Sequence, residues 1–122
     1  MPYIIGSASQ PRFLDMDSGN IQSGIVTTST TSPTALISLS ASAYRSVKYQ
    51  IQVTEGSNYS TTNISAFHDG TNAFIVEYGS MKNNIDVSTF DVDVNAGQFR
   101  LIGYPASSNL TTFKIVYTSV DL

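Results

Sequence analysis

Val47-Lys48-Tyr49-Gln50-Ile51-Gln52-Val53 alternates without interruption, with four bulky apolar residues separated by three polar ones. In an extended chain successive side chains point to opposite faces, so this period of two marks a strand with one face buried and the other wetted. The pattern continues on both sides. Residues 35–40 read as a short strand. Residues 63–68 set Ile64 and Ala66 against Ser65 and Phe67, and residues 73–78 follow as another strand. In 85–94, Phe90, Val92 and Val94 oppose Asp91 and Asp93; residues 99–103 are stopped by Pro105; Phe113, Ile115 and Tyr117 alternate with Lys114, Val116 and Thr118. Asp69-Gly70-Thr71-Asn72 and Asn95-Ala96-Gly97 supply the residues that tolerate the positive φ of tight hairpin turns. No stretch of ten residues carries helical apolar spacing. The fold class is therefore all-β: a single β-sandwich or jelly-roll-like domain of seven to eight antiparallel strands across residues 35–122.

Residues 1–34 read differently. Pro2, Pro11 and Pro33 break the periodicity, Gly6, Gly19 and Gly24 permit turns, and residues 27–34 are almost pure Ser and Thr. Apolar residues are too frequent here for a freely disordered tail. The segment is expected to be an extended N-terminal arm that docks on its own domain or on a neighbour, with residues 25–28 as a candidate first strand. Phe13, Leu14, Ile21 and Ile25 are the expected assembly contacts of that arm.

Composition removes several function classes. The 122 residues include no cysteine and one histidine, His68, which rules out thiolate sites, cysteine nucleophiles and multi-histidine metal centres. Charged residues are 12% and the net charge is -3, so phosphate neutralisation by a basic patch is not expected, and neither is nucleic-acid binding. Met1–Gly6 has no basic n-region, and no run reaches 18 apolar residues, so neither a signal peptide nor a membrane helix is expected. In place of charge the chain carries 18 Ser and 13 Thr, a neutral hydroxyl-rich surface suited to an assembly or an extracellular setting.

The constellations that could carry chemistry have bland competitors. Asp15-Met16-Asp17-Ser18-Gly19-Asn20 alternates oxygen ligands as calcium loops do, but lacks the distal Glu of an EF-hand and is equally explained as a turn. Asp91 and Asp93 lie on one strand face at a separation open to a glycosidase pair, yet the alternation marks that face as solvated. His68 beside the Asp-Gly turn has no nucleophile elbow to serve, and end-of-strand hydrogen bonding is its expected role. Arg45, Glu77 and Arg100 sit among bulky residues in a chain poor in charge, and are expected to form a structural ion pair or network. No catalytic residue, metal site or cofactor is expected.

The segment Tyr44-Arg45-Ser46-Val47-Lys48-Tyr49-Gln50-Ile51-Gln52-Val53 resembles the opening of a module in structural proteins of marine cyanobacterial tailed phages. The likeness continues through His68-Asp69-Gly70-Thr71-Asn72-Ala73, Glu77-Tyr78-Gly79, the stretch from Asp91 to Leu101, and the closing strand 112–118. It covers about residues 44–118 and implies a non-enzymatic virion β-domain, in a family where the module often lies within long, repetitive proteins. The expectation that follows is a phage virion protein, made in the host cytoplasm and assembled on the particle. The first reading is a capsid decoration or cement protein bound to the major capsid protein or other virion proteins as a homo-oligomer. The alternative is a tail, baseplate or fibre component that binds host surface glycan, using loops such as 55–60 or 104–109. An enzyme acting through Asp91 and Asp93 is the third.

Overall fold

The computed structural model describes residues 3–7 and 10–122, with side chains described from Leu14 onward. Ten strands follow in order: β1 (Tyr3–Ser7), β2 (Gln10–Met16), β3 (Gly19–Thr28), β4 (Thr34–Ser40), β5 (Tyr44–Glu55), β6 (Asn58–His68), β7 (Ala73–Lys82), β8 (Ser88–Asn95), β9 (Gln98–Pro105) and β10 (Thr111–Asp121). They form two antiparallel sheets, one of seven strands in the order β1-β2-β3-β10-β5-β6-β7 and one of three in the order β4-β9-β8. The all-β sandwich expected from the alternation is the observed architecture. The inward residues are those that the pattern marks: Val47, Tyr49, Ile51 and Val53 from β5, Ile64 and Ala66 from β6, and Phe113, Ile115 and Tyr117 from β10. They pack against Leu36, Ile37, Phe99, Leu101 and Val92 of the small sheet in one core.

The strand count exceeds the expected seven or eight because the described part of residues 1–34 adds β1, β2 and β3, the candidate strand at residues 25–28 being the end of β3. β3 lies inside the large sheet, paired with β10 from Gly19↔Val120 to Thr28↔Thr111. Among the described residues, backbone pairing ties the hairpin of β1 and β2 to β3 at Leu14↔Ile21, Asp15↔Asn20 and Met16↔Gly19. In β3 exposure alternates but polarity does not: Val26 packs against the core while its neighbour Ile25 is 69% exposed. Apolar residues fall on the outer face at Ile21 and Ile25 and on the inner face at Val26, so the strand shows no clean alternation in sequence.

The expected hairpin turns are present. Asp69 Oδ1 accepts from the backbone N–H of Thr71 (2.9 Å) and Asn72 (2.8 Å), and Gly70 takes a φ of 101°. The turn between β8 and β9 uses positive φ at both Ala96 (51°) and Gly97 (77°), the geometry that matches strand twist. A bulge interrupts β7: Thr61 pairs with Met81 and Asn63 with Tyr78, so β7 carries one extra residue. Gly79, at φ 66°, supplies the left-handed residue that the bulge requires.

Candidate functional site

The bulge at Gly79 shapes a cleft. Without it, side chains three apart on β7 would face opposite ways; with it, Glu77 and Ser80 both turn toward Thr62 of β6. Thr62 Oγ1 donates to Glu77 Oε2 at 2.8 Å and lies 2.8 Å from Ser80 Oγ, which donates to the same carboxylate oxygen at 3.2 Å. Glu77 Oε1 is left without a protein partner among the described residues. Opposite this cluster stands the start of β8, where Ser88 Oγ donates to the Thr89 carbonyl at 3.0 Å. Phe90 beside it packs edge-on against the buried Phe113, centroids 6.2 Å apart. On the rim, Asp86 is bridged to Lys82 at 3.2 Å. The cleft between the two sheets encloses about 370 Å³ and is lined by hydroxyls, two carboxylates and the apolar sides of Met81 and Phe90.

A second polar cluster closes one end of the sandwich. Glu55 is buried, and its carboxylate accepts from Ser107 Oγ, from Asn58 Nδ2 (2.9 Å) and from Asn109 Nδ2 (3.4 Å). Hydrogen bonds from Ser107 first, and from Asn58 next, hold its carboxyl below the ordinary value of 4.5. Asn83 accepts from the Tyr59 N–H at 2.9 Å and donates to the Ser57 carbonyl at 3.0 Å, while Asn84 donates to Asn58 Oδ1 at 3.0 Å. The loops 55–60 and 104–109 thus meet, but they spend their polar groups on each other. They brace the fold, and the freer acceptor is in the cleft.

The expected network of Arg45, Glu77 and Arg100 does not form. Arg100 instead forks Asp93, with Nε to Oδ1 at 2.8 Å and Nη2 to Oδ2 at 2.6 Å. The Arg100 hydrogen bond holds the Asp93 carboxyl below its ordinary value and raises the guanidinium. The physical reason is register: Asp93 and Arg100 are direct cross-strand partners in the β8–β9 hairpin. Counting outward from the Ala96-Gly97 turn finds this pair in the sequence. Arg45 Nη1 donates to the His68 carbonyl at 2.9 Å, and Glu77 belongs to the cleft. Asp91 accepts from the Val92 N–H at 2.8 Å. The two aspartates are therefore not a pair of equivalent free carboxylates.

His68 is fully buried and does the hydrogen bonding expected of it. Its Nδ1 accepts from the Gly70 N–H at 3.0 Å, which leaves Nε2 to donate to the Tyr44 carbonyl at 2.6 Å, with Phe99 against the ring. Of the expected assembly residues, Leu14 and Ile21 are cross-strand neighbours, and Ile21 and Ile25 share the outer face of the large sheet. The Phe13 side chain lies outside the described residues. Around the Asp15–Asn20 turn, Asn20 bridges toward Tyr44 Oη at 3.0 Å and toward Asp15. Among the described residues no group of three acidic or histidine side chains could hold a metal ion.

Fold and cleft together define a two-sheet all-β module with a hydroxyl-lined groove between its sheets. No protein-family model matches the chain, and none of the curated proteins does. Among solved structures it is similar to the tailspike protein of Acinetobacter baumannii phage AM24, with 7% identity and a TM-score of 0.46 over 84% of this chain and 26% of that one. It is also similar to the tailspike protein of Acinetobacter phage vB_ApiP_P1, with 14% identity and a TM-score of 0.48 over 83% of this chain and 22% of that one. The chain spans about a quarter of the length of these proteins.

Proposed function

We propose that this chain is a phage virion structural protein of the tail, baseplate or fibre, and that it contacts host surface glycan through the cleft between β7 and β8. The virion assignment rests on the sequence resemblance over residues 44–118. The observation that carries the binding reading is the arrangement at Glu77: one carboxylate oxygen is fixed by Thr62 and Ser80 and the other is free to accept. Sugar hydroxyls donate to such an oxygen, and Ser and Thr hydroxyls both donate and accept in return. Met81 and Phe90 offer apolar contact for the carbon faces of a ring, and about 370 Å³ is the scale of a small-molecule site. Among the described residues the cleft is lined by two carboxylates and no basic side chain, and Lys82 on its rim is engaged by Asp86, so the ligand class is a neutral saccharide rather than an anionic one.

The reading is one of binding and not of hydrolysis. The aspartates first considered for acid–base work lie on the small sheet, where Arg100 neutralises Asp93. The test is titration of the full chain with neutral oligosaccharides released from the host surface, followed by calorimetry and amide chemical shifts. Glu77→Ala should weaken binding about tenfold or more, the loss expected for one charge-assisted hydrogen bond. Rebinding of the protein to stripped phage heads, with no saccharide affinity, would return the reading to a capsid decoration protein.

A further inference from the structure

The face of the seven-stranded sheet that turns away from the core is not an ordinary solvated surface. Register fixes which side chains share it. Ile21, Thr118, Lys48, Ser65 and Val76 run across β3, β10, β5, β6 and β7 in one row, and Val120, Ser46, Phe67 and Phe74 form the next. Phe67 and Phe74 stack with centroids 4.8 Å apart and planes 22° apart. Even so they remain 47% and 46% exposed, and Val76 is 63% exposed. A shallow apolar groove of about 480 Å³ runs along them. The rows beyond mix amides and hydroxyls such as Gln50, Asn63, Gln52 and Thr61 with exposed Val116, Ile25 and Met81. Between β3 and β7 the charged residues on this face are, among the described residues, Lys48 and Lys114.

We infer that this face is a self-association surface whose occupant is a second copy of the same chain. Its chemistry is complementary to itself. Apolar rows can meet apolar rows, and amides and hydroxyls serve as donor and acceptor alike, so one surface can be both halves of a twofold interface. No carboxylate in these rows would be stranded without a partner, and the two lysines have stems long enough to keep their ammonium groups at the wet rim. The size suffices. Five strands about 4.8 Å apart and rows spanning roughly 27 Å give on the order of 650 Å² per copy. A pair then buries about 1,300 Å², above the roughly 1,000 Å² that a stable interface needs. The net charge of -3 opposes the approach of two copies only weakly. The inference is independent of saccharide binding, because the apolar groove shares no residue with the cleft, which meets this face at its far edge through Thr61 and Met81.

Sedimentation equilibrium of the full chain from about 1 μM to about 1 mM tests it. The expected result is a mass that rises to that of a dimer. Val76→Asp should weaken the dimer roughly a hundredfold or more by burying an unpaired charge, with the unfolding midpoint preserved because the side chain points outward. If that variant shifts the midpoint, Val120→Asp replaces it. Asp91→Ala, on the other sheet, should leave association unchanged. A monomer at every concentration overturns the inference, as does a dimer that survives both substitutions. A dimer lost only when residues 1–16 are removed overturns it in favour of association through the β1–β2 hairpin.

Discussion

Replacing Tyr49 by Phe should make this protein more stable. Tyr49 projects from the middle of β5 into the core at 2% exposure, and its hydroxyl has no hydrogen-bond partner among the described residues. Burial, with Tyr117 alongside, pushes its phenol far above the ordinary value of 10.0. A buried hydroxyl without a partner costs about 1–3 kcal/mol, while the dispersion contacts of one oxygen return only a few tenths. The net expectation is a gain of about 1–2 kcal/mol. For 122 residues, 1 kcal/mol corresponds to roughly 4 °C in Tm, so the rise should be about 4–8 °C. Tyr117 supplies the control. Its ring lies 5.8 Å from that of Tyr49, but its hydroxyl donates to Gln22 Oε1 at 2.6 Å. Tyr117→Phe should therefore lose about 0.5–1.5 kcal/mol. Urea unfolding of both variants, with unchanged m-values, measures the difference. A Tyr49→Phe variant less stable than the parent would show that the hydroxyl is satisfied and that this description of the core is wrong.

Three further outcomes follow from the same geometry. Glu55, Asp69 and Asp93 all have carboxyls held below their ordinary values, by Ser107, by the Asn72 and Thr71 amides, and by Arg100 respectively. Their stabilisation is complete above the unfolded-state values and is lost as pH falls through the folded ones, so stability should be level down to about pH 5 and decline below it, with a shallower decline in Glu55→Gln on acid titration followed by circular dichroism. Gly19→Ala should cost roughly 1–3 kcal/mol in denaturant unfolding, because a Cβ there would stand 2.1 Å from the Ser119 carbonyl oxygen across the β3–β10 pair. Removing residues 1–16 should leave cooperative thermal unfolding intact, since among the described residues three backbone pairs tie β2 to β3, whereas removing residues 1–28 should abolish it by stripping β10 of a neighbour.

Much of the fold was legible because the large sheet has one strongly buried face. β5, β6 and β10 show their inward residues in plain alternation, and the Asp69-Gly70 and Ala96-Gly97 turns fix two hairpins. β3 was legible only at its end, residues 25–28, for the opposite reason: with Ile21 and Ile25 outside and Val26 inside, apolar residues fall on both faces and the period vanishes. The same apolar outer face misleads about aromatics. Phe67, Phe74, Tyr59 and Tyr78 are about half exposed, although their type suggests core. For the charged residues, bulky neighbours in sequence said nothing about register, which is what joins Arg100 to Asp93. The cleft was hidden because it depends on a bulge. A glycine within a strand pattern is a signal for one, and Glu77-Tyr78-Gly79-Ser80 carried it, but turning Glu77 and Ser80 to the same side needs the register itself.

The central claim is that Glu77 anchors a neutral saccharide. Its most direct test is an amide chemical-shift titration of the full chain with host-surface oligosaccharide, run beside the Glu77→Ala variant. Saturable shifts confined to Thr62, Glu77, Ser80 and the start of β8, and nearly absent in the variant, are the predicted result. No saturable shift in the parent protein, or equal shifts in the two, would contradict the claim.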